Sequence, residues 1–412
     1  MIILFLMDPL RHGSLHLAHT IGPETAERLH RWDAALALAP QEQLGPWHIE
    51  LYRHLRSATV GASTRIEGNP LSVAEVDAVI QGESVDATAH ARREVTNYNQ
   101  ALTLATSFAL APDFAWSNMV FMAINGQILH GLPVDRQGRY RDGPVYIGEA
   151  YEGPHASQIP DLMRTLIDWL GYSSDHPLVR AALLHLNVLA IHPWFDGNGR
   201  TSRVLSTLEL LRAGVRAPEL VNIEPYLASN RAEYIAQLQA AHGPTYRPGE
   251  HSATEWVAYI VRVSTDRLSI DVLLRDALEH DYARLLAALE RRSEPLEWIS
   301  TLWIAAAIPI RTRDVARAFQ RSMPGARARL AQMVSAGWLR QIGRTRAASY
   351  IATDRLVGMG LRMPELIRRY DLGLSLEPPA SEAWRAPALL SSDHAAPPSR
   401  RLDDDAVRPG EG

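Results

Sequence analysis

The sequence predicts a mostly α-helical chain. It is expected to carry one short β-hairpin flap within a helical core and a small winged-helix domain near its end. Three observations point there. Apolar residues recur at helical spacing through most of the 412 residues, with caps and stop signals between the runs. In the first two thirds of the chain the pattern turns β-like at Val145-Tyr146-Ile147, between glycines. Residues 296–355 then follow the order helix, turn, helix, strand, strand.

Taken in order, residues 1–110 read as an N-terminal helical region and 111–270 as the core. Residues 271–295 read as a helical linker, and the stretch from 375 to 412 as a disordered tail. Met1 to Met7 are apolar, but the run is too short to span a membrane and is cut by Asp8-Pro9, so it reads as an edge segment. Residues 24–39 place Leu29, Trp32, Leu36 and Leu38 on one helical stripe. A second helix from Trp47 to Ile66 stops at Gly68-Asn69-Pro70. Ser63 and Glu67, one turn apart, share a face near its end. Ser72 and Glu75 form a capping box that opens a third helix. Helices are also expected over 92–110, 114–129, 154–170 and 177–189, over 222–238, and as one run over 254–292. The tail is rich in Pro, Ala and Ser and buries little apolar surface.

Composition closes several routes. Apolar content is 46%, that of an ordinary globular chain, and the formal net charge is −4. No cysteine is present, which removes disulfides, zinc thiolates and a cysteine nucleophile. No lysine is present either, so a Walker-type P-loop and a kinase strand lysine are closed. A soluble, cytoplasmic protein without membrane contact is expected. Oligomeric state, including a homodimer, is left open.

The chemistry concentrates in Ile191 to Arg203, I-H-P-W-F-D-G-N-G-R-T-S-R. Gly197, Asn198 and Gly199 precede an amphipathic helix. Glycines there let the backbone approach an anion, and a helix start offers free N–H groups and a positive dipole end. Arg200 and Arg203, three apart, suit a polyphosphate. Asp196 is a candidate Mg²⁺ ligand, because Mg²⁺ favours a carboxylate plus phosphate oxygens. His192 is a candidate general base.

This turn resembles the signature of the Fic family (filamentation induced by cAMP), H-x-F-x-D/E-G-N-G-R-x-x-R. Only Trp194, standing for Phe, departs from it. The resemblance implies a protein AMP-transferase that uses Mg·ATP as substrate, modifies a Ser, Thr or Tyr hydroxyl of a target protein and releases pyrophosphate. It implies that His192 deprotonates the hydroxyl and Asp196 holds Mg²⁺. The nucleotide set it implies is Gly197, Asn198, Gly199, Arg200, Thr201, Ser202 and Arg203, with Tyr234 near the adenine. It implies further that Ser63 to Gly68 is an inhibitory motif, in which Glu67 pairs with Arg203 and takes it from the γ-phosphate. Val145, Tyr146 and Ile147 would be the flap that aligns the target by strand addition, with Arg141 supporting it.

Two other readings stay open. Arginines 311, 313, 317, 321, 327, 329, 340, 344 and 346 face a single acid, Asp314, between Arg311 and Tyr350. A DNA-binding transcription regulator with a nucleotide-sensing core would use that basic winged helix. A hydrolase that removes AMP, with Glu67 orienting water, would use the catalytic turn. His185, among leucines, reads as a satisfied core histidine.

Overall fold

The computed structural model describes residues 13–38, 48–134, 136–147, 151–216, 218–268, 270–289, 295–343 and 348–374. The expectations for Met1–Met7, the flap end at Gly148, the wing turn over 344–347 and the tail from 375 lie outside them. The described residues belong to one compact unit, Met1–Leu376.

Two helices form its centre, α7 (Pro177–Ile191) and α8 (Asn198–Arg212). The α7 sequence is apolar nearly all round, and such a helix has to be enclosed. Every residue from Leu178 to Ile191 except Arg180 is buried. Its polar side chains face specific neighbours. Asn187 Oδ1 accepts from the His16 amide at 2.8 Å, and its Nδ2 donates to Leu183 O. Arg180 Nε pairs with Glu209 Oε1 of α8 at 2.9 Å.

Around this pair pack α4 (Ala89–Leu110), α5 (Asn118–Leu129), α6 (Ile159–Tyr172) and α11 (Thr254–Leu268). Outside them lie α1 (Pro23–Leu38), α2 (His48–Ile66) and α3 (Val73–Ile80). At α3 the capping box forms as expected: the Glu75 amide donates to Ser72 Oγ, and the Ser72 amide to Glu75 Oε2 at 2.9 Å. Helix α5 starts later than expected, with Ser117 at its N-cap position. Phe114 and Trp116 instead join an aromatic row with Phe121, at ring separations of 5.2 and 5.7 Å. The run over 222–238 is broken at Asn230 into α9 (Glu224–Ser229) and α10 (Arg231–His242). The long run to 292 is helical over Thr254–Leu268, α11, and over Ile270–Ala288, α12.

The flap is two residues wide on each side, β1 (Tyr146–Ile147) antiparallel to β2 (Tyr151–Glu152). The outer side of β2 pairs with the loop after α10, where the Glu152 amide donates to Pro244 O at 2.9 Å.

The last part comprises α13 (Pro295–Ala307), β3 (Ile310–Arg311), α14 (Thr312–Ala318), α15 (Met323–Ser335), β4 (Leu339–Ile342), β5 (Ser349–Ala352), α16 (Asp354–Val357) and α17 (Met363–Asp371). Its three strands run in the order β3-β5-β4, all antiparallel. Strand β3 and helix α17 have no counterpart in the sequence reading. Tyr370 of α17 is fully buried, with Arg267 lying 3.9 Å over its ring and donating to its carbonyl. Among the described residues, no helix is long and apolar enough to cross a membrane.

Candidate active site

His192 ends α7 in the left-handed conformation, φ 49° and ψ 60°. Its Nδ1 faces Leu189 O at 3.3 Å. That contact fits a proton on Nδ1 and leaves the Nε2 lone pair for the cleft. Burial lowers its pKa to about 4, with the positive charge of Arg141 adding to the effect and Glu67 opposing it. The imidazole is therefore neutral, as a proton acceptor must be, well below neutrality.

The turn after it is locked by its own side chains. Asn198 Oδ1 accepts from the Trp194 amide at 3.1 Å, and its Nδ2 donates to Trp194 O at 2.9 Å. Trp194 itself is buried, 6.1 Å from the Tyr140 ring, in the place where the motif has a smaller aromatic. Gly197 sits at φ 78°, and a Cβ there would lie 3.0 Å from Asn125 Nδ2 and 3.3 Å from Leu129. Both its left-handed backbone and its close neighbours require glycine.

Glu67, just past the end of α2, occupies the mouth of α8. A Cβ on Gly199 would lie 2.6 Å from its Oε1. Arg203 donates to the same oxygen at 2.8 Å, to Ser63 Oγ at 2.8 Å and to Ser63 O at 3.2 Å. The Arg203 side chain is 1% exposed and that of Glu67 33%. Burial pushes the Glu67 carboxyl up, but Arg203 outweighs it, and its pKa ends below the usual carboxylate range. Burial likewise opposes the charge on Arg203, and the Glu67 carboxylate overcomes it, so the pKa ends raised. A carboxylate thus fills the anion position that a helix start and a guanidinium create.

Arg200 turns away from Arg203. It donates to Glu94 Oε1 on α4 at 2.7 Å and to Asp196 Oδ1 at 3.3 Å. Ser202 Oγ donates to Gly199 O, and Thr201 Oγ1 accepts from Asn125, so both hydroxyls serve the helix. Asn125 also donates to Asp196 O and accepts from the Gly138 amide. Asn125 and Glu94 were missed from sequence. They lie 71 and 106 residues from their partners here, and no local pattern marks them.

Asp196 is half-exposed, with one oxygen taken by the Gly197 amide and Arg200. Among the described residues, no group of three or more His, Cys, Asp or Glu is placed to hold a metal. A lone, partly exposed carboxylate beside an anion position fits Mg²⁺ that arrives with phosphate oxygens.

Tyr234 lies beside Arg203 and feels both its charge and that of Glu67. It is 2% exposed, with its hydroxyl 3.0 Å from His185 Nε2 and its ring 6.1 Å from that of Trp256, so it is enclosed and presents no open face to a base. His185 is the satisfied core histidine expected, with a pKa lowered to about 3 by burial and then by Arg203. In the flap, Tyr146 is 65% exposed and Ile147 is also exposed, while Val145 O accepts from the Gly153 amide. Five of the arginines between 311 and 346 pair with carboxylates of the chain. Arg311 and Arg313 pair with Glu83, Arg317 with Glu50, and Arg321 and Arg329 with Glu297.

Part of the chain is similar to known proteins. Residues 117–210 match the model of the Fic/DOC family. Protein adenylyltransferase fic-1 of Caenorhabditis elegans is 27% identical over 216 residues, 49% of this chain and 41% of that protein. Protein adenylyltransferase Fic of Nematostella vectensis is 27% identical over 248 residues, 57% of this chain and 53% of that protein. The chain thus spans about half the length, or less, of the curated relatives it matches. A crystal structure of a Fic family protein from Desulfovibrio desulfuricans superposes with a TM-score of 0.55 at 25% identity, covering 82% of this chain and 98% of the other. Fic-1 of C. elegans shares the fold, with a TM-score of 0.51 over 61% of this chain and 73% of that structure. Residues 117–210 are thus similar in sequence to the Fic/DOC family, and the chain is similar in fold to a Fic family protein.

Proposed function

We propose that the protein transfers AMP from Mg·ATP to a hydroxyl of a target protein, and that Glu67 holds this activity down. The observation that carries the proposal is the Glu67 carboxylate seated between Gly199 and Arg203, where a helix start would otherwise receive a phosphate. The names of the relatives, protein adenylyltransferases, support the same chemistry.

In this reading ATP lays its phosphates along the amides of Gly197 to Gly199. Arg203, once Glu67 leaves, meets the terminal phosphate. Asp196 would hold Mg²⁺, which neutralises phosphate charge when bound. The acceptor segment pairs with the exposed β1 edge and brings its hydroxyl to His192. His192 Nε2 takes the hydroxyl proton as the oxygen bonds to the α-phosphorus, and the bond to the β-phosphate oxygen breaks to release pyrophosphate. Fixed donors around the phosphates supply charge stabilisation that costs no rearrangement during the reaction.

The test is direct. The native chain, Glu67→Gly and His192→Ala are incubated with Mg²⁺ and ATP labelled in the α-phosphate, and AMP on protein is counted. Label that rises with Glu67→Gly and vanishes when His192→Ala is added supports the reading. Silence in all three rejects it. The regulator reading has less to stand on, because five arginines of its basic run already serve carboxylates of the same chain.

A further inference from the structure

Arg141 opens the flap, and its environment is unusual for a charged group. It is 2% exposed, and among the described residues its hydrogen bonds all go to main-chain carbonyls. Burial lowers its pKa, and no carboxylate offsets that cost. Buried arginines ordinarily have an ionic partner, so the position of this one calls for a reason.

The carbonyls it binds belong to two groups. Nε donates to His192 O at 2.8 Å, and Nη2 reaches Ile191 O at 3.5 Å. These are the last carbonyls of α7, at the end of the dipole that attracts a cation. Nη1 donates to Gly143 O and Nη2 to Pro154 O, both at 2.6 Å. Gly143 precedes β1 and Pro154 follows β2, so these are the two legs of the flap. The Arg141 amide itself donates to Pro193 O at 2.9 Å. Room has been left for the guanidinium: a Cβ on Gly153 would lie 3.2 Å from Nη2.

His192 needs such a hold. A non-glycine residue in the left-handed region is strained, and helix ends of this shape usually carry glycine. We propose that Arg141 is the positioning residue of the site: one guanidinium ties the left-handed His192 and both legs of the flap into a single hydrogen-bond set, so the base and the acceptor strand keep a common register. Lysine could not replace it, because a point ammonium does not span carbonyls on both sides as the planar fork does. A small misplacement of base against acceptor is enough to cost two orders of magnitude in rate.

This inference rests on the AMP-transfer reading, and its test separates the two. Arg141→Met and Arg141→Lys are made in the full-length Glu67→Gly chain, with ATP and the chain itself as acceptor. The expected kcat falls by about 100-fold in both, while KM for ATP stays within about threefold. In parallel, the His192 imidazole is titrated by NMR in the same chains without nucleotide. In Arg141→Met its midpoint is expected to rise toward the ordinary value, as a positive neighbour leaves and water enters. Glu67, the carboxylate that acts on it, is absent from every chain compared, and His242 is the same in each. In Arg141→Lys the charge stays, so kcat falls while the midpoint moves less. Should Arg141→Met fail to fold, Arg141→Lys carries the kcat arm alone. Should the Glu67→Gly chain transfer no AMP, the functional reading fails, and the titration still tests Arg141. A folded Arg141→Met chain with kcat and imidazole titration unchanged would overturn the proposal. So would a loss of rate matched by an equal loss of ATP affinity.

Discussion

Removing the Glu67 carboxylate is the perturbation whose size the structure best defines. Arg203 meets it at 2.8 Å from a guanidinium that is 1% exposed. A fully buried pair of this kind would be worth several kcal/mol. Glu67 keeps 33% of its surface open, however, so water screens part of the attraction. About 2 kcal/mol is a fair value for one charge-assisted hydrogen bond under those conditions. Because 1.4 kcal/mol is a factor of ten, the plugged state outweighs the open one by roughly 30-fold. Glu67→Gly should therefore raise transfer of labelled AMP on the order of 30-fold. Glu67→Gln, which keeps the shape and loses the charge, should give a smaller gain. The fold should survive both, since Arg203 retains Ser63 Oγ and Ser63 O. The assay is initial rate at fixed Mg·ATP, with thermal midpoints measured beside it. Rates within twofold of the native chain, in folded variants, would refute the idea that this carboxylate blocks the anion position.

Further expectations concern the base, the turn, acid stability and α2. His192→Ala in the Glu67→Gly chain should lower transfer by about 10²–10⁴, the range of a lost general base, with ATP affinity by calorimetry held within a few-fold. Gly197→Ala, at φ 78° and 3.0 Å from Asn125, should lower the denaturant midpoint by an amount worth about 1–2 kcal/mol. His16, His185 and His192 have pKa values lowered to about 4, 3 and 4, so the folded state binds fewer protons than the unfolded one below 6.5. Stability should thus be full above that pH and fall as pH drops from 6.5 toward 4, and His185→Gln should flatten the slope in pH-dependent melts. Arg53→Ala, far from the catalytic turn, should raise transfer about fivefold, the effect of ~1 kcal/mol of lost grip on α2, with faster amide exchange along that helix.

What the sequence disclosed was the chemistry that is local. His192 to Arg203 is contiguous, and Ser63 and Glu67 share one helical turn, so the residues that cluster here could be named before any fold was known. The two long runs were legible as helical, but the break at Asn230 depends on packing, not on a strong stop residue. Arg200 looked like a twin of Arg203 because three residues separate them. Its actual partner, Glu94, comes from another helix and was invisible in the motif. Tyr234 looked available for a base until α11 covered it with Trp256. Arg311, Arg313 and Arg317 read as part of a free basic surface because the carboxylates that answer them, Glu50 and Glu83, lie more than 200 residues earlier.

That last arrangement has a practical side. Arg53 of α2 reaches Glu50, Asp77 and Asp314 at 2.5, 3.2 and 3.1 Å, and Arg317 reaches Glu50 at 2.8 Å. The helix that carries Glu67 to the mouth of α8 is therefore bolted at its far end to the distal third of the polypeptide. Cutting the chain before α13 would strip Glu50 and Arg53 of partners in a dry seam, where unpaired ions are expensive. A trimmed enzyme would then report the behaviour of a loosened stopper, and its basal rate would be no measure of the intact molecule.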